Sequence, residues 1–177
     1  MKNFILFLLT FLTSVSAIKA QSISAENDPS IDPQIREFLK ALNNSGGKPL
    51  ETLSPAEARQ VLVSAQQSVE VDYSGIEESE KTITQDGETI TIHIVKPEGA
   101  DANPPVFMFF HGGGWVLGDY ATHRRLVRDL VVNSGAVAVF PDYTPSPEAQ
   151  YPKAINQAYA ATKWVAKNGR QIGRWQS

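Results

Sequence analysis

His111, Gly112, Gly113, Gly114 and Trp115, within FMFFHGGGWVLGD at 107–119, are the residues whose types and spacing could do chemistry. Glycine lacks a Cβ, so its backbone takes φ values closed to other residues and can approach a ligand closely. A loop that only had to turn needs one glycine, and three in a row cost much conformational freedom on folding. Two chemistries use such a loop. In one, backbone N–H groups at a helix N-terminus cradle a phosphate. In the other, N–H groups fixed in advance stabilise the oxyanion of an acyl-transfer transition state, where losing one donor costs about 3 kcal/mol.

The phosphate reading has some support. Gly112, Gly114 and Gly118 spell G-x-G-x-x-x-G after a strand, and Asp142 follows the next strand, roughly where a ribose-binding acid would sit. It requires a helix opening directly on the glycines. The pattern instead predicts a helix start at Thr122 or His123, with Asp119 and Tyr120 left as loop residues and bulky Trp115 and Leu117 filling the loop. The glycine pattern alone is a weak signal. The oxyanion reading fits better, because adjacent glycines at the end of a strand can aim two N–H groups at one point.

Several elements must position this loop. Asp32-Pro33 offers an N-cap and a proline at the first helical position, Ile35, Phe38, Leu39 and Leu42 make an apolar stripe, and NNSGG at 43–47 stops the helix. Ser54-Pro55-Ala56-Glu57 is a capping box opening a second helix to about Ser68. These two helices read as a cap or as an N-terminal extension packed on the core. TITIHIV at 89–95 alternates as a half-buried strand, with His93 on its polar face and without a function, and QDGE before it turns a hairpin from 81–84. VFMFF at 106–110 and AVAVF at 136–140 are apolar runs expected to be covered on both sides. Between them Leu126, Val127, Leu130 and Val131 recur at helical spacing, ended by Gly135. After PDYTPSPEAQYP, Ile155, Ala158, Thr162 and Val165 mark a further helix, ended by Gly169. Strand, helix, strand, helix predicts an α/β class with a parallel sheet.

Composition narrows the function. The formal net charge is −3, so there is no basic face for nucleic acid. There is no cysteine, hence neither a disulfide framework nor a thiol nucleophile, and His93, His111 and His123 lack metal-ligand spacing. No metal or cofactor is expected. MKNFILFLLTFLTSVSAIKA at 1–20 reads as a signal peptide cleaved after Ala17 or Ala20, and its apolar stretch is short for stable membrane insertion. The mature chain is expected to be exported, periplasmic or secreted.

The block His111-Gly112-Gly113-Gly114-Trp115 resembles the HGGG motif of the hormone-sensitive-lipase-like esterases, a branch of the α/β-hydrolase fold. PDYTPSPEAQYPKAINQAYAATKWV at 141–165 is similar to that family's D-Y-R-L-A-P-E-x-x-x-P stretch through Asp142, Tyr143, Pro147, Glu148 and Pro152. Thr144 stands in place of the usual Arg, and Pro145-Ser146 in place of Leu-Ala. The resemblance runs from about 76 to 169. It implies an oxyanion hole from Gly112, Gly113 and Gly114, and a small acyl ester as substrate. His111 would brace the loop rather than act as base, and Tyr143, Pro147 and Glu148 would hold the second loop. Trp115 would lie either at the rim of an acyl pocket or in the core.

The family's nucleophile sits on a G-x-S-x-G elbow after the next strand, followed by an acid and a histidine. No G-x-S-x-G occurs in these 177 residues, and no histidine follows His123. No catalytic triad residue is assigned. The expectation is an incomplete α/β-hydrolase fold: a signal peptide at 1–20, a helical cap or extension at 21–75, and a partial hydrolase domain at 76–177 that ends before the nucleophile strand. Such a chain would be catalytically silent, with 106–110 as an aggregation-prone edge strand. A catalytically inactive binding protein on a partial hydrolase fold is the main alternative, and a dinucleotide-binding module the lesser one.

Overall fold

A computed structural model of the chain describes residues 24–100 and 103–173. The signal peptide expected at 1–20 and the last four residues lie outside them. The chain divides into two compact units, Met1–Gly47 and Lys48–Ser177. In the first, α1 (Pro33–Asn44) begins as the sequence predicts, with the Asp32 carboxylate accepting the Gln34 N–H at 2.7 Å. Its apolar stripe is not buried: Ile35, Phe38 and Leu42 are all exposed.

In the second unit, α2 (Pro55–Gln67) carries the complete capping box of Ser54 and Glu57. The boundary at Gly47 therefore puts α2 in the same unit as the sheet, apart from α1. Strands β1 (Ile76–Gln85) and β2 (Glu88–Pro97) form a hairpin whose turn residues Asp86 and Gly87 both have positive φ, the geometry that matches strand twist. Then follow β3 (Val106–Met108), α3 (Tyr120–Ser134), β4 (Val137–Asp142) and α4 (Lys153–Asn168). The sheet order is β1-β2-β4-β3. The pair β3–β4 is parallel with α3 as its crossover, whereas β2 runs antiparallel to both β1 and β4. The described sheet is thus mixed.

Helices cover both faces. Val137 and Val139 of β4 join Ile90, Ile92 and Ile94 of β2 in a core with Ala161 and Val165 of α4. Ala138 and Phe140 point the other way, to Val95 and to Val127 and Val131 of α3. AVAVF is buried on both sides, as expected.

Four expectations need correction. VFMFF is not covered on both faces: β3 is short and half-buried, and Phe110 is exposed. Among the described residues it pairs only with β4, so one edge lacks a neighbour. His93 is buried rather than solvent-facing, with its ring stacked 4.0 Å from Tyr120, because α3 covers that face of β2. On α3 only Val127 and Val131 are buried, and Leu126 and Leu130 are exposed. On α4 the buried face is Gln157, Ala160, Ala161 and Val165, while Ile155 is exposed. Helical spacing locates an apolar stripe, but the sheet decides which edge of it is covered.

Ile92 has no exposed surface in the strand that links the hairpin to β4, so Ile92→Ala should lower the unfolding free energy by roughly 2–5 kcal/mol. Leu126, half exposed on α3, should tolerate alanine within about 0.5 kcal/mol. Denaturant titration compares them, and equal losses would contradict the burial described.

Candidate active site

The glycine loop leaves the C-terminal end of β3, where the Phe109 N–H still donates to the Val139 carbonyl at 2.9 Å. Gly113, Gly114 and then Trp115 have φ of 127°, 63° and 63°. The turn closes on itself, with the Val116 and Leu117 N–H groups both donating to the Gly113 carbonyl, at 3.2 and 2.9 Å. A Cβ on Gly113 would lie 2.6 Å from the Leu117 carbonyl carbon, so no other residue fits there. A Cβ on Gly118 would meet His111 Nδ1 at 2.7 Å and the Gly112 carbonyl oxygen at 2.9 Å. Among the described residues, the N–H groups of Gly112, Gly113 and Gly114 donate to no protein acceptor. Three adjacent backbone donors are left available.

Trp115 is the unexpected member. A bulky residue in the left-handed region costs on the order of 1–3 kcal/mol and marks a site that its surroundings over-determine. Here the Trp115 carbonyl accepts the Ser146 N–H at 2.7 Å, joining the glycine loop to the loop after β4. The ring is 52% exposed, so Trp115 is not a core tryptophan. It forms a wall shared by two recesses. One, of about 300 Å³, is lined mainly by apolar groups of Phe110, Trp115, Tyr143 and Tyr159, with His111 at its edge. The other, of about 120 Å³, lies against Ser146, Ala149, Tyr151 and Ile155.

His111 is buried with its ring parallel to Tyr143, centroids 4.3 Å apart, and to Phe140 at 5.4 Å. Its Nδ1 lies 2.7 Å from the Gly112 carbonyl oxygen, which can only accept, so Nδ1 carries the proton. Burial, the largest influence, lowers the imidazole's pKa and favours the neutral ring. The Tyr143 hydroxyl donates to the His111 carbonyl, and burial pushes that phenol up to about 12, so it stays protonated. Both rings therefore hold loop backbone.

Glu148 and an arginine that sequence reasoning missed hold the second loop. Arg59 of α2 makes a bidentate pair with Glu148 at 2.7 and 2.8 Å. The same guanidinium donates to the carbonyls of Val116 and Ser146, both at 2.7 Å. Gln157 was missed too. Its amide oxygen accepts the Thr144 N–H at 2.8 Å and its nitrogen donates to Thr144 Oγ1 at 3.2 Å, anchoring the position where the family has arginine. Gln157 lies outside the apolar stripe read from the sequence, which therefore gave no signal for it.

Asp119 and Tyr120 also differ from expectation. Tyr120 opens α3, and Asp119 is its N-cap, accepting the Thr122 N–H at 2.8 Å. The helix thus starts directly after Gly118, closer to the glycines than predicted. A carboxylate already occupies its N-terminus, which disfavours a pyrophosphate there. Among the described residues no cluster of histidine and acidic side chains could hold a metal.

The fold and the HGGG loop together define the class. A sequence profile described as the alpha/beta hydrolase fold matches residues 107–176. The chain resembles a thermostable esterase from Pseudomonas putida, 61% identical with a TM-score of 0.80, over 82% of this chain and 46% of that one. An esterase from Rhizomucor miehei is 35% identical with a TM-score of 0.75, over 84% of this chain and 46% of that one. The Mycobacterium tuberculosis esterase LipI is 49% identical over 77 residues, 44% of this chain and 23% of that protein. The chain spans under half the length of these relatives. The fold is that of the α/β hydrolases, and the chain resembles the N-terminal portion of hormone-sensitive-lipase-like esterases.

Two outcomes test the site's geometry. Gly113→Ala should displace the loop, seen as faster amide exchange at Val116 and Leu117, whereas Gly112→Ala, whose Cβ meets nothing within 4 Å, should not. Arg59, the largest influence, lowers the Glu148 carboxyl from 4.5 to about 2. A depressed carboxylate contributes stability above its unfolded pKa and loses it as pH falls through the folded one. The pair's contribution to stability should therefore be full above about pH 4.5 and decline towards pH 2, and the pair itself should open only around pH 2, read as the Glu148 midpoint in a carbon-13 carboxyl titration. A Glu148 midpoint in the ordinary range would contradict the bidentate pair.

Proposed function

We propose that the chain carries the oxyanion-stabilising part of a carboxylic-ester hydrolase that acts by serine acyl transfer on small acyl esters. The observation that carries the reading is the set of three adjacent, unpartnered glycine N–H groups beside an apolar recess bounded by Trp115. In the reaction a serine hydroxyl gives its proton to a general base as its oxygen bonds to the ester carbonyl carbon, while the carbonyl π electrons move to oxygen. The resulting oxyanion accepts two N–H groups from Gly112–Gly114. Collapse re-forms the carbonyl and expels the alcohol oxygen, which takes a proton from the general acid, leaving an acyl-serine for water to cleave. His111 and Tyr143 serve as braces of the loop: His111 Nδ1 and the Tyr143 hydroxyl both donate to loop carbonyls, and burial disfavours the ionised forms of both rings.

The 177 residues contain no G-x-S-x-G and assign no nucleophile, acid or base. A polypeptide of residues 21–177 alone should therefore be inactive on esters. The relatives named esterases support the reaction class, and the resemblance of residues 1–20 to a signal peptide supports export.

A chimera separates the oxyanion role from the missing nucleophile. Residues 48–173 would replace the matching segment of the Pseudomonas putida esterase, and turnover of a short-chain aryl ester would be measured. The chimera should turn over the ester, and Gly113→Ala in it should lower kcat by roughly 10²–10³. A folded chimera whose kcat is indifferent to Gly113→Ala would refute the oxyanion assignment. Serine-inhibitor-sensitive turnover by 21–177 alone would refute its inactivity.

A further inference from the structure

Helix α2 carries one buried residue, Ala58, yet its Arg59 touches the loop region at three places. Arg59 Nε donates to the Val116 carbonyl, Nη2 donates to the Ser146 carbonyl, and Nη1 and Nη2 together engage Glu148. Among the described residues, neither of those two carbonyls has another donor. Val116 follows Trp115, and the Ser146 N–H bonds to the Trp115 carbonyl at 2.7 Å. The guanidinium therefore closes a ring through Val116, Trp115 and Ser146, around Trp115, a bulky residue held at positive φ.

We propose that Arg59 is a positioning residue for the oxyanion loop: α2, docked through this guanidinium, holds Trp115 and with it the Gly112–Gly114 donors in their working arrangement. The proposal rests on reading those glycines as the oxyanion loop. It makes the hole conditional on the docking of a helix remote in sequence. The flat, five-donor fork of arginine suits this, since it can serve a carboxylate and two carbonyls at once, whereas an ammonium is a point charge without that fork. Glu148 orients the fork and supplies its counter-charge. With a neutral side chain at position 59, the two carbonyls lose their partner and the left-handed Trp115 loses part of what holds it.

The test is amide hydrogen exchange on the full chain, comparing it with Arg59→Gln, Arg59→Lys and Glu148→Gln. In Arg59→Gln the amides of Val116, Leu117 and Ser146 should exchange about tenfold faster or more, the size expected when charge-assisted bonds are lost. Amides of β4 and α3 should keep their rates. Lysine should restore part of the protection, and Glu148→Gln should cost less than Arg59→Gln, because the two carbonyl bonds remain. Unchanged loop exchange in Arg59→Gln would overturn the proposal. Equal acceleration throughout the sheet and loop would also overturn it, showing a general stabilising contact instead. This readout needs no ester turnover. A chimera indifferent to Gly113→Ala would fell the ester reading and leave the measured clamp standing, and unchanged exchange would do the reverse.

Discussion

The turn after β3 brings the Leu117 carbonyl back against Gly113, into the space a Cβ would need, and much of the molecule serves that turn. Folding the backbone this tightly directs the Val116 and Leu117 N–H groups inward to Gly113 and leaves those of Gly112–Gly114 without protein acceptors. These three glycines are exposed, so their free N–H groups meet water and remain available to a ligand. The same turn forces Trp115 to positive φ. A loop under that constraint needs its surroundings to hold it.

Two kinds of support do so, and they differ in physical character. Beneath the loop lies an aromatic stack of His111, Tyr143 and Phe140, parallel within 7° and rooted in the buried strand β4. Its polar ends hold backbone: the imidazole through Gly112 and the phenol through His111. Burial keeps both groups neutral, so this support does not depend on charge. Beside the loop, Arg59 and Glu148 supply a charged support that water screens, since half of the Glu148 side chain is exposed. The value of that pair lies in its direction, because it brings a carbonyl from each loop to one guanidinium.

The framework behind the loop follows from strand alternation. In β4 the side chains divide between α4 on one face and α3 on the other, so this strand is buried from Val137 to Pro141. Its central place between β2 and β3 gives both loops a rigid origin, the glycine loop through β3 and the Tyr143 loop directly. Asp119 then starts α3 at once, which sets the far end of the glycine loop.

What the sequence determined by itself was local. The Ser54–Glu57 capping box, the Asp-Gly hairpin turn, the glycine terminator at Gly135 and the HGGG sequence all depend on neighbours within a few residues, and each was legible, whereas the Asp119–Thr122 capping box was not read. The bracing role read for His111 and Tyr143 came from the family's motif rather than from their neighbours in the chain. Tertiary structure decided what depends on a partner distant in the chain. Helical spacing could not tell that Leu126 and Ile155 are exposed while Gln157 is buried, because the sheet selects the covered edge. His93 looked solvent-facing until α3 lay over it. Arg59 carries no signal within its own helix, because Glu148 is 89 residues away and the carbonyls it holds are backbone groups that every residue possesses. A motif can specify donors, but only the folded chain brings together the groups that hold them still.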